Sequence, residues 1–343
     1  MSFVSLATDL VERAPLPDGL TRAGVAFLVA RARRDLDRRP ASDADFARAM
    51  AGRPIAENTA DANAQHYEVP AAFFRQVLGP RLKYSSGLYA RADTTLAEAE
   101  VAALEETCVH AALADGQSIL ELGCGWGSLS LWMAERYPAS AITAVSNSHS
   151  QRAHIEARAA EWGLANLTVV TADMNDFQAP ALFDRIVSVE MFEHMSNWRA
   201  LLARAAGWLQ PEGRLFLHVF THRDRPYRFE TADRDDWIAK YFFTGGIMPS
   251  RGLVRQFPDL FEVEGEWHWS GEHYRRTAMD WLARFDAAAD AIDPVLRRTY
   301  GRQARLWKRR WRLFFLATAG LFGDSAGAVW GVGHYRLKAA RRP

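Results

Sequence analysis

The chain has 343 residues, 49% hydrophobic and 24% charged, enough for one large globular domain with additions or for two smaller ones. With 42 Lys and Arg against 41 Asp and Glu, the formal net charge is +1, which speaks against nucleic acid or another polyanion as partner. Cys108 and Cys124 have neither CxxC spacing nor a companion His cluster, so no disulfide framework, zinc site or other metal is expected.

Residues 1 to about 60 are rich in Ala, Arg and Asp, lack a run of β-branched residues, and predict short helices. The apolar stretch from Ala23 to Ala30 runs straight into arginines with no signal-peptide pattern, so a cytoplasmic setting is expected. From Ser118 short apolar runs alternate with helix-compatible segments, the βαβ pattern of a doubly wound parallel sheet. Five strands are predicted, Ser118–Leu122, Ala141–Val145, Leu167–Val170, Arg185–Val189 and Arg214–His218, each buried on both faces.

After His218 the alternation stops, and an aromatic-rich stretch that includes Tyr227, Trp237, Tyr241, Phe242, Phe243, Trp267, Trp269, Tyr274 and Trp281 is expected to lie over the sheet's carboxyl edge. Such rings suit an aromatic or cationic substrate, a lipid tunnel or plain core packing. Glu262–Trp269 and His334–Leu337 are further strand candidates, and Leu313 to Gly323 is too short for a membrane span and reads as a buried helix. The arginines of Arg31 to Arg39 and Arg341–Arg342 suit either a solvated face or a peripheral contact with anionic lipid.

The first strand leads into Gly123-Cys124-Gly125-Trp126-Gly127 and then a helix-compatible segment, the arrangement in which glycines let a cofactor approach the backbone. Position 128 is Ser and no ribose-binding acid lies in Thr143 to Asn147, which disfavours NAD; no Gly-Lys-Ser/Thr follows, which disfavours a phosphate loop. Glu121 beside the turn can neutralise an ammonium and Asp173 after the third strand can accept from an exocyclic amine. S-adenosylmethionine carries both groups.

The segment Glu121 to Gly127 resembles the first motif of class I methyltransferases, and its Trp-containing form resembles the cyclopropane fatty acid synthase superfamily. The resemblance implies an α/β fold with a mostly parallel, Rossmann-like sheet of seven strands. It also implies that Tyr84 and Ser85 close over the cofactor, that Ser146 and Gln151 replace the usual ribose-binding acid, and that Met174 flanks the adenine. Glu190-Met191-Phe192-Glu193-His194-Met195 places two carboxylates and an imidazole after the fourth strand, as a reaction centre or as a helix-capping cluster. This segment, with Tyr241 to Ser250 and Trp311 to Phe315, is similar to the coclaurine N-methyltransferase branch from roughly His66 onward. That branch implies methylation of an amine in an aromatic alkaloid, with S-adenosylhomocysteine as product and Glu190, Glu193 and His194 at the reaction centre. Histidine is suited to take the amine's proton, and a carboxylate to orient it or hold the cation.

The sibling activity, methylenation of a lipid alkene, uses a bicarbonate pocket by the same resemblance. Glu193 and His218 match it, but Ser86, Phe220 and Phe314 stand where Cys, Ile and Tyr are expected. Amine transfer therefore ranks first, with His218, Phe220, Tyr241, Phe242 and Phe314 as substrate-pocket candidates. An unsaturated lipid acceptor is the alternative, a non-catalytic S-adenosylmethionine-binding protein the second, and a homodimer stays open. The predicted organisation is a helical region over 1–60, a cofactor core over 61–222, a cap insertion over 223–310, and a helix and strand over 311–343 that complete the core. No Asp/Asn-Pro-Pro-aromatic motif for a flipped base follows the fourth strand.

Overall fold

The computed structural model describes residues 12, 16–38, 42–57, 69–229 and 237–340. Among the described residues the helices α1 (Asp18–Arg38), α2 (Asp43–Met50), α3 (Ala71–Val77) and α4 (Leu96–His110) precede the sheet. α4 starts at a capping box in which Thr95 and Glu98 each bond the other's backbone N–H. Then β1 (Ser118–Leu122), α5 (Ser128–Arg136), β2 (Ala141–Ser146), α6 (His149–Glu161), β3 (Leu167–Thr171) and β4 (Phe183–Val189) alternate. A 3-10 turn at Phe192–His194 and α7 (Trp198–Gly207) lead to β5 (Leu209–His222). The short strands β6 (Tyr227–Arg228) and β7 (Ile247–Met248) pair around α8 (Trp237–Tyr241). The chain closes with β8 (Phe261–Ser270), α9 (Gly271–Ala287), α10 (Ala289–Tyr300), α11 (Ala304–Phe322) and β9 (Trp330–Ala339).

The seven-stranded sheet has the order β3-β2-β1-β4-β5-β9-β8, parallel through β5, with β9 antiparallel to both of its neighbours. Every predicted strand is present. β5 runs past His218 and β9 begins before His334 because the two pair from Arg214↔Lys338 to His222↔Trp330, a partnership that a local pattern does not reveal. β3 corrects the expectation of burial on both faces: it is an edge strand and Thr168 is exposed.

The division at 223–310 is also corrected. β8 lies within that segment yet pairs with β9 in the main sheet, and α11 crosses the boundary at 310/311, so the covering layer is contributed in two pieces on either side of β8. The boundary at 60/61 falls within 58–68, outside the described residues, as do Arg39, Arg341, Arg342 and His66. Of the arginine run, Arg31 and Arg38 pair with Asp35, and Arg33 with Asp324.

Helices α3, α9, α10 and α11 pack through Phe73, Trp281, Phe285, Trp311 and Phe315, and this core meets the ends of β1 and β5 through Trp126 and Phe220. α1, a single helix of 21 residues, lies along α11 and is tied down by Arg312, which bonds Asp18 at 2.6 Å and Asp286 at 2.9 Å. No helix among the described residues is long and apolar enough to cross a membrane.

Gly271 at the β8–α9 junction has no room for a side chain: a Cβ there would collide with the carbonyl oxygens of Phe322 and Trp330. Gly271→Ala is therefore expected to cost about 1–3 kcal/mol of stability through overpacking, read as a lower midpoint of thermal unfolding.

Candidate active site

β1 ends at Leu122, and the chain turns through Gly123, Gly125 and Gly127 at φ of 80°, 51° and 82°, a left-handed region that strains any residue with a Cβ. A Cβ at Gly123 would strike Met191 and one at Gly127 would strike Ile155, but one at Gly125 would meet no protein atom within 4 Å. Gly123 and Gly125 line one cavity with Ser146, Gln151, Asp173, Met174 and His194, and Glu57 and Thr244 complete its rim. Ser146 donates to Gln151 Oε1 at 2.7 Å, and Asp173 Oδ1 accepts from both the backbone and the side-chain N–H of Asn175, at 2.8 and 3.0 Å. Glu121 is buried behind the turn, where it accepts from the Ser130 hydroxyl, and burial pushes its carboxyl up to about 7. A buried acid and an open glycine backbone fit a cationic ligand whose amino-acid end lies against the turn. Gly127 instead borders a cavity of about 260 Å³ lined by Arg75, Arg81, Trp126 and His154, and neither Glu190 nor Glu193 reaches it.

Glu190, immediately after β4, has φ of 47°, a conformation that costs a non-glycine residue on the order of 1–3 kcal/mol and clusters at functional positions. The turn aims its largely buried carboxylate at two donors, the Ser86 N–H at 3.1 Å on Oε1 and the Tyr274 hydroxyl at 2.7 Å on Oε2, and sets Oε1 3.2 Å from His218 Nε2. Burial raises the Glu190 carboxyl, and the opposing pull of Lys83, Tyr274 and Ser86 limits the rise. Lys83 is itself buried, bonded to Ser85 and to the Ser86 carbonyl, and pushed down to about 8 by desolvation.

Glu193 is fully buried in the 3-10 turn. Its Oε1 accepts from the Phe220 N–H at 2.6 Å, while Oε2 has no hydrogen-bond partner among the described residues. Burial, then the charge of Glu190, raises its carboxyl well above the ordinary range, so the two acids resist ionising together. His194 rests on Phe243 with ring centres 4.3 Å apart, and Phe220 and Phe229 lie within 5.4 and 5.0 Å of the same Phe243 ring. Neither glutamate caps a helix: α7, which follows, is capped by Asn197.

The predicted residues thus divide. Glu190, Glu193, His194, His218 and Phe220 converge, and Gly123, Gly125, Ser146, Gln151, Asp173 and Met174 flank them, whereas Gly127 does not. Tyr84 and Ser85 do not line the cofactor cavity: Tyr84 packs between Phe74 and Trp281, and Ser85 holds Lys83. Phe242 and Phe314 stack on each other at 4.4 Å within the helical layer, and Tyr241 lies under the Arg310 guanidinium at 3.7 Å. Lys83 and Asn175, each within two residues of a predicted position, escaped the sequence reading, as did the partnership of Tyr274 with Glu190, which joins segments 84 residues apart.

A sheet of this order, with a glycine turn after β1 and acids at β1 and after β3, defines a class I methyltransferase. Residues 56–331 match the profile of the mycolic acid cyclopropane synthetase family. The chain is 38% identical over 279 residues to (S)-coclaurine N-methyltransferase of Thalictrum flavum subsp. glaucum, covering 80% of this chain and 77% of that protein. It is 32% identical over 270 residues to the cyclopropane-fatty-acyl-phospholipid synthase of Escherichia coli K12, covering 78% and 66%. Among solved structures, a coclaurine N-methyltransferase bound to N-methylheliamine and S-adenosylhomocysteine superimposes with a TM-score of 0.93 at 32% identity, covering 98% of this chain and all of that one. The chain belongs to the mycolic acid cyclopropane synthetase family and is an S-adenosylmethionine-dependent methyltransferase.

The carboxyl of Glu121 titrates near 7, above its ordinary 4.5, and a bound cation favours its charged form. Below that midpoint, binding must expel a proton, so cofactor affinity is expected to rise by up to about tenfold per pH unit toward pH 7 and to level off above it. Calorimetry in buffers of different ionisation heat should show proton release at pH 6 and little at pH 8.5, and Glu121→Gln should flatten the profile.

Proposed function

We propose that the enzyme methylates the nitrogen of a small aromatic amine, of the tetrahydroisoquinoline class. The observation that carries this reading is the bare, buried Oε2 of Glu193, next in the chain to a His194 that rests on Phe243, which in turn packs on Phe220 and Phe229. A buried carboxylate oxygen without a donor calls for one, and a protonated amine presents N–H donors, a positive charge and, in this class, an aromatic body that the rings accept. Residues assigned to the cofactor would be Glu121, Gly123, Gly125, Ser146, Gln151, Asp173 and Met174. When bound, the cofactor supplies an electrophilic methyl group on a sulfonium.

The ammonium form of an amine has no lone pair, so its nitrogen must lose a proton before it can attack. In this reading Glu193 gives its own proton to solvent as the ammonium enters and then holds the cation, and the His194 imidazole takes the N–H proton, which passes on to ionised Glu190. The rings and the buried acids exclude water, which keeps the nitrogen aligned and strengthens the ion contacts.

Features of the site also argue against lipid methylenation. The donors that would hold a small anion point elsewhere: Ser86 Oγ donates to the Gly87 carbonyl at 3.0 Å, His218 Nε2 is engaged with Glu190, and Phe314 has no hydroxyl and stacks on Phe242. The sequence likeness to an N-methyltransferase and the near-complete superposition on an amine-bound one support the same reading. The coverage of the lipid-acting relative is smaller on both sides.

Incubation with isotopically labelled S-adenosylmethionine and a panel of tetrahydroisoquinolines, simple amines and unsaturated phospholipids should add one methyl to nitrogen; methylene insertion into an alkene would overturn the proposal. Glu193→Gln and His194→Ala are each expected to lower turnover about 10²- to 10⁴-fold while leaving cofactor binding nearly intact. Equal loss of both would assign these residues to the scaffold.

A further inference from the structure

Behind Glu190 three buried histidines are bonded in series. His218 Nε2 meets Glu190 Oε1 at 3.2 Å, His218 Nδ1 meets His334 Nε2 at 2.8 Å, and His334 Nδ1 meets His110 Nδ1 at 2.8 Å. His110 Nε2 then lies 3.0 Å from Oε1 of Glu106, whose side chain is 41% exposed. The series crosses the sheet: His218 and His334 are cross-strand partners on β5 and β9, and His110 is the last residue of α4. Both strand histidines are fully buried, and the series is sheathed by rings, with Trp267 stacked on His110 at 3.9 Å, Trp269 at 4.3 Å and Phe216 at 5.1 Å from His334. We propose that His218, His334 and His110 form a proton relay that carries the proton released at the reaction centre from Glu190 to Glu106 at the surface. This rests on reading Glu190 as part of that centre.

Proton counting supports it. Four links join two carboxylates through three imidazoles, and each link needs one hydrogen. Three neutral imidazoles supply three, so the fourth belongs to one of the acids, and the series has a place for one mobile proton. With that proton on Glu190, every ring donates outward, and His110 donates to an ionised Glu106. Moving the four hydrogens across their links in concert leaves Glu190 ionised, Glu106 protonated and all three rings donating inward; one proton has crossed without a charged ring being formed. Neutral rings are what this environment favours, because burial holds His218 and His334 well below the ordinary imidazole range. Loss of the proton from Glu106 to solvent completes the exit, and the rings reset their tautomers between turnovers.

The groups that face the series set its direction. At the inner end Lys83, Tyr274 and the Ser86 N–H favour ionised Glu190, whereas Glu193 opposes it. His268 adds a positive influence at His334. At the outer end burial disfavours a charged His110, Glu106 favours it and Arg336 disfavours it, so that ring too is kept neutral.

The test pairs a spectroscopic readout with kinetics. In nitrogen-15 spectra of the cofactor-free protein, the three rings are expected to exchange tautomers together, with one midpoint, as Glu190 titrates; rings that keep fixed tautomers, or switch separately, overturn the relay. In weak buffer at pH 7, Glu106→Gln and His110→Gln, at the outer end where folding is least at risk, and His334→Gln are each expected to lower kcat for tetrahydroisoquinoline about tenfold, without change in KM or cofactor affinity. The loss should vanish above the pKa of the acceptor amine, which then arrives neutral. Rates and pH profiles equal to the parent's in all three variants overturn the relay. A parent enzyme that methylates no amine would instead overturn the amine reading, because the imidazole spectra need neither cofactor nor acceptor.

Discussion

A single buried carboxylate organises this protein. Glu190 is held in a left-handed turn at the end of β4, and its two oxygens collect a backbone N–H from the segment before α4, a hydroxyl from α9 and an imidazole from β5. Burying a charge is costly unless it is paired and fully bonded, so those three elements have to be in place for the turn to hold. The cofactor face, the helical layer and the sheet thereby meet at one atom group. Lys83 contributes opposite charge from just before the same loop.

The contrast with Glu193, three residues on, shows how environment separates two like side chains. Glu190 has a donor for each oxygen, and Glu193 has one oxygen satisfied and one bare. The acid with more donors keeps its charge more readily, and that charge adds to burial in raising the other's carboxyl. A site so arranged suits a cation, which agrees with a reaction whose cofactor is a sulfonium and with the amine acceptor proposed above.

On the reading proposed above, the same logic separates this chain from relatives named as lipid cyclopropane synthases inside one family. The backbone frame, the glycine turn and the acid after β4 serve either chemistry, since both begin with an electrophilic methyl. What differs is the lining. Here a phenylalanine stands at position 220, a hydroxyl at 86 turns to its own neighbour's carbonyl, and position 314 carries no hydroxyl, so the polar convergence suited to a small anion is replaced by rings around His194.

Much of this was legible in the linear chain. Apolar runs at βαβ spacing identify a parallel sheet because each strand must be hydrophobic wherever helices cover it, and the alternating glycines mark a turn that only they adopt without strain. The order of motifs along the chain likewise indicates a methyl donor and places Glu190, Glu193 and His194 after the fourth strand. Local pattern has no means, however, of recording pairing between distant segments. It could not assign β8 to the sheet, join His334 to His218 or bring Tyr274 to Glu190, and it sent Phe242 and Phe314 to a substrate pocket when they pack against each other in the helical layer. Residue types and their spacing therefore determined the fold class and the kind of chemistry. Only the tertiary structure decided which buried acid keeps its charge and which histidines touch, because those outcomes depend on desolvation and on donors brought together from opposite ends of the chain.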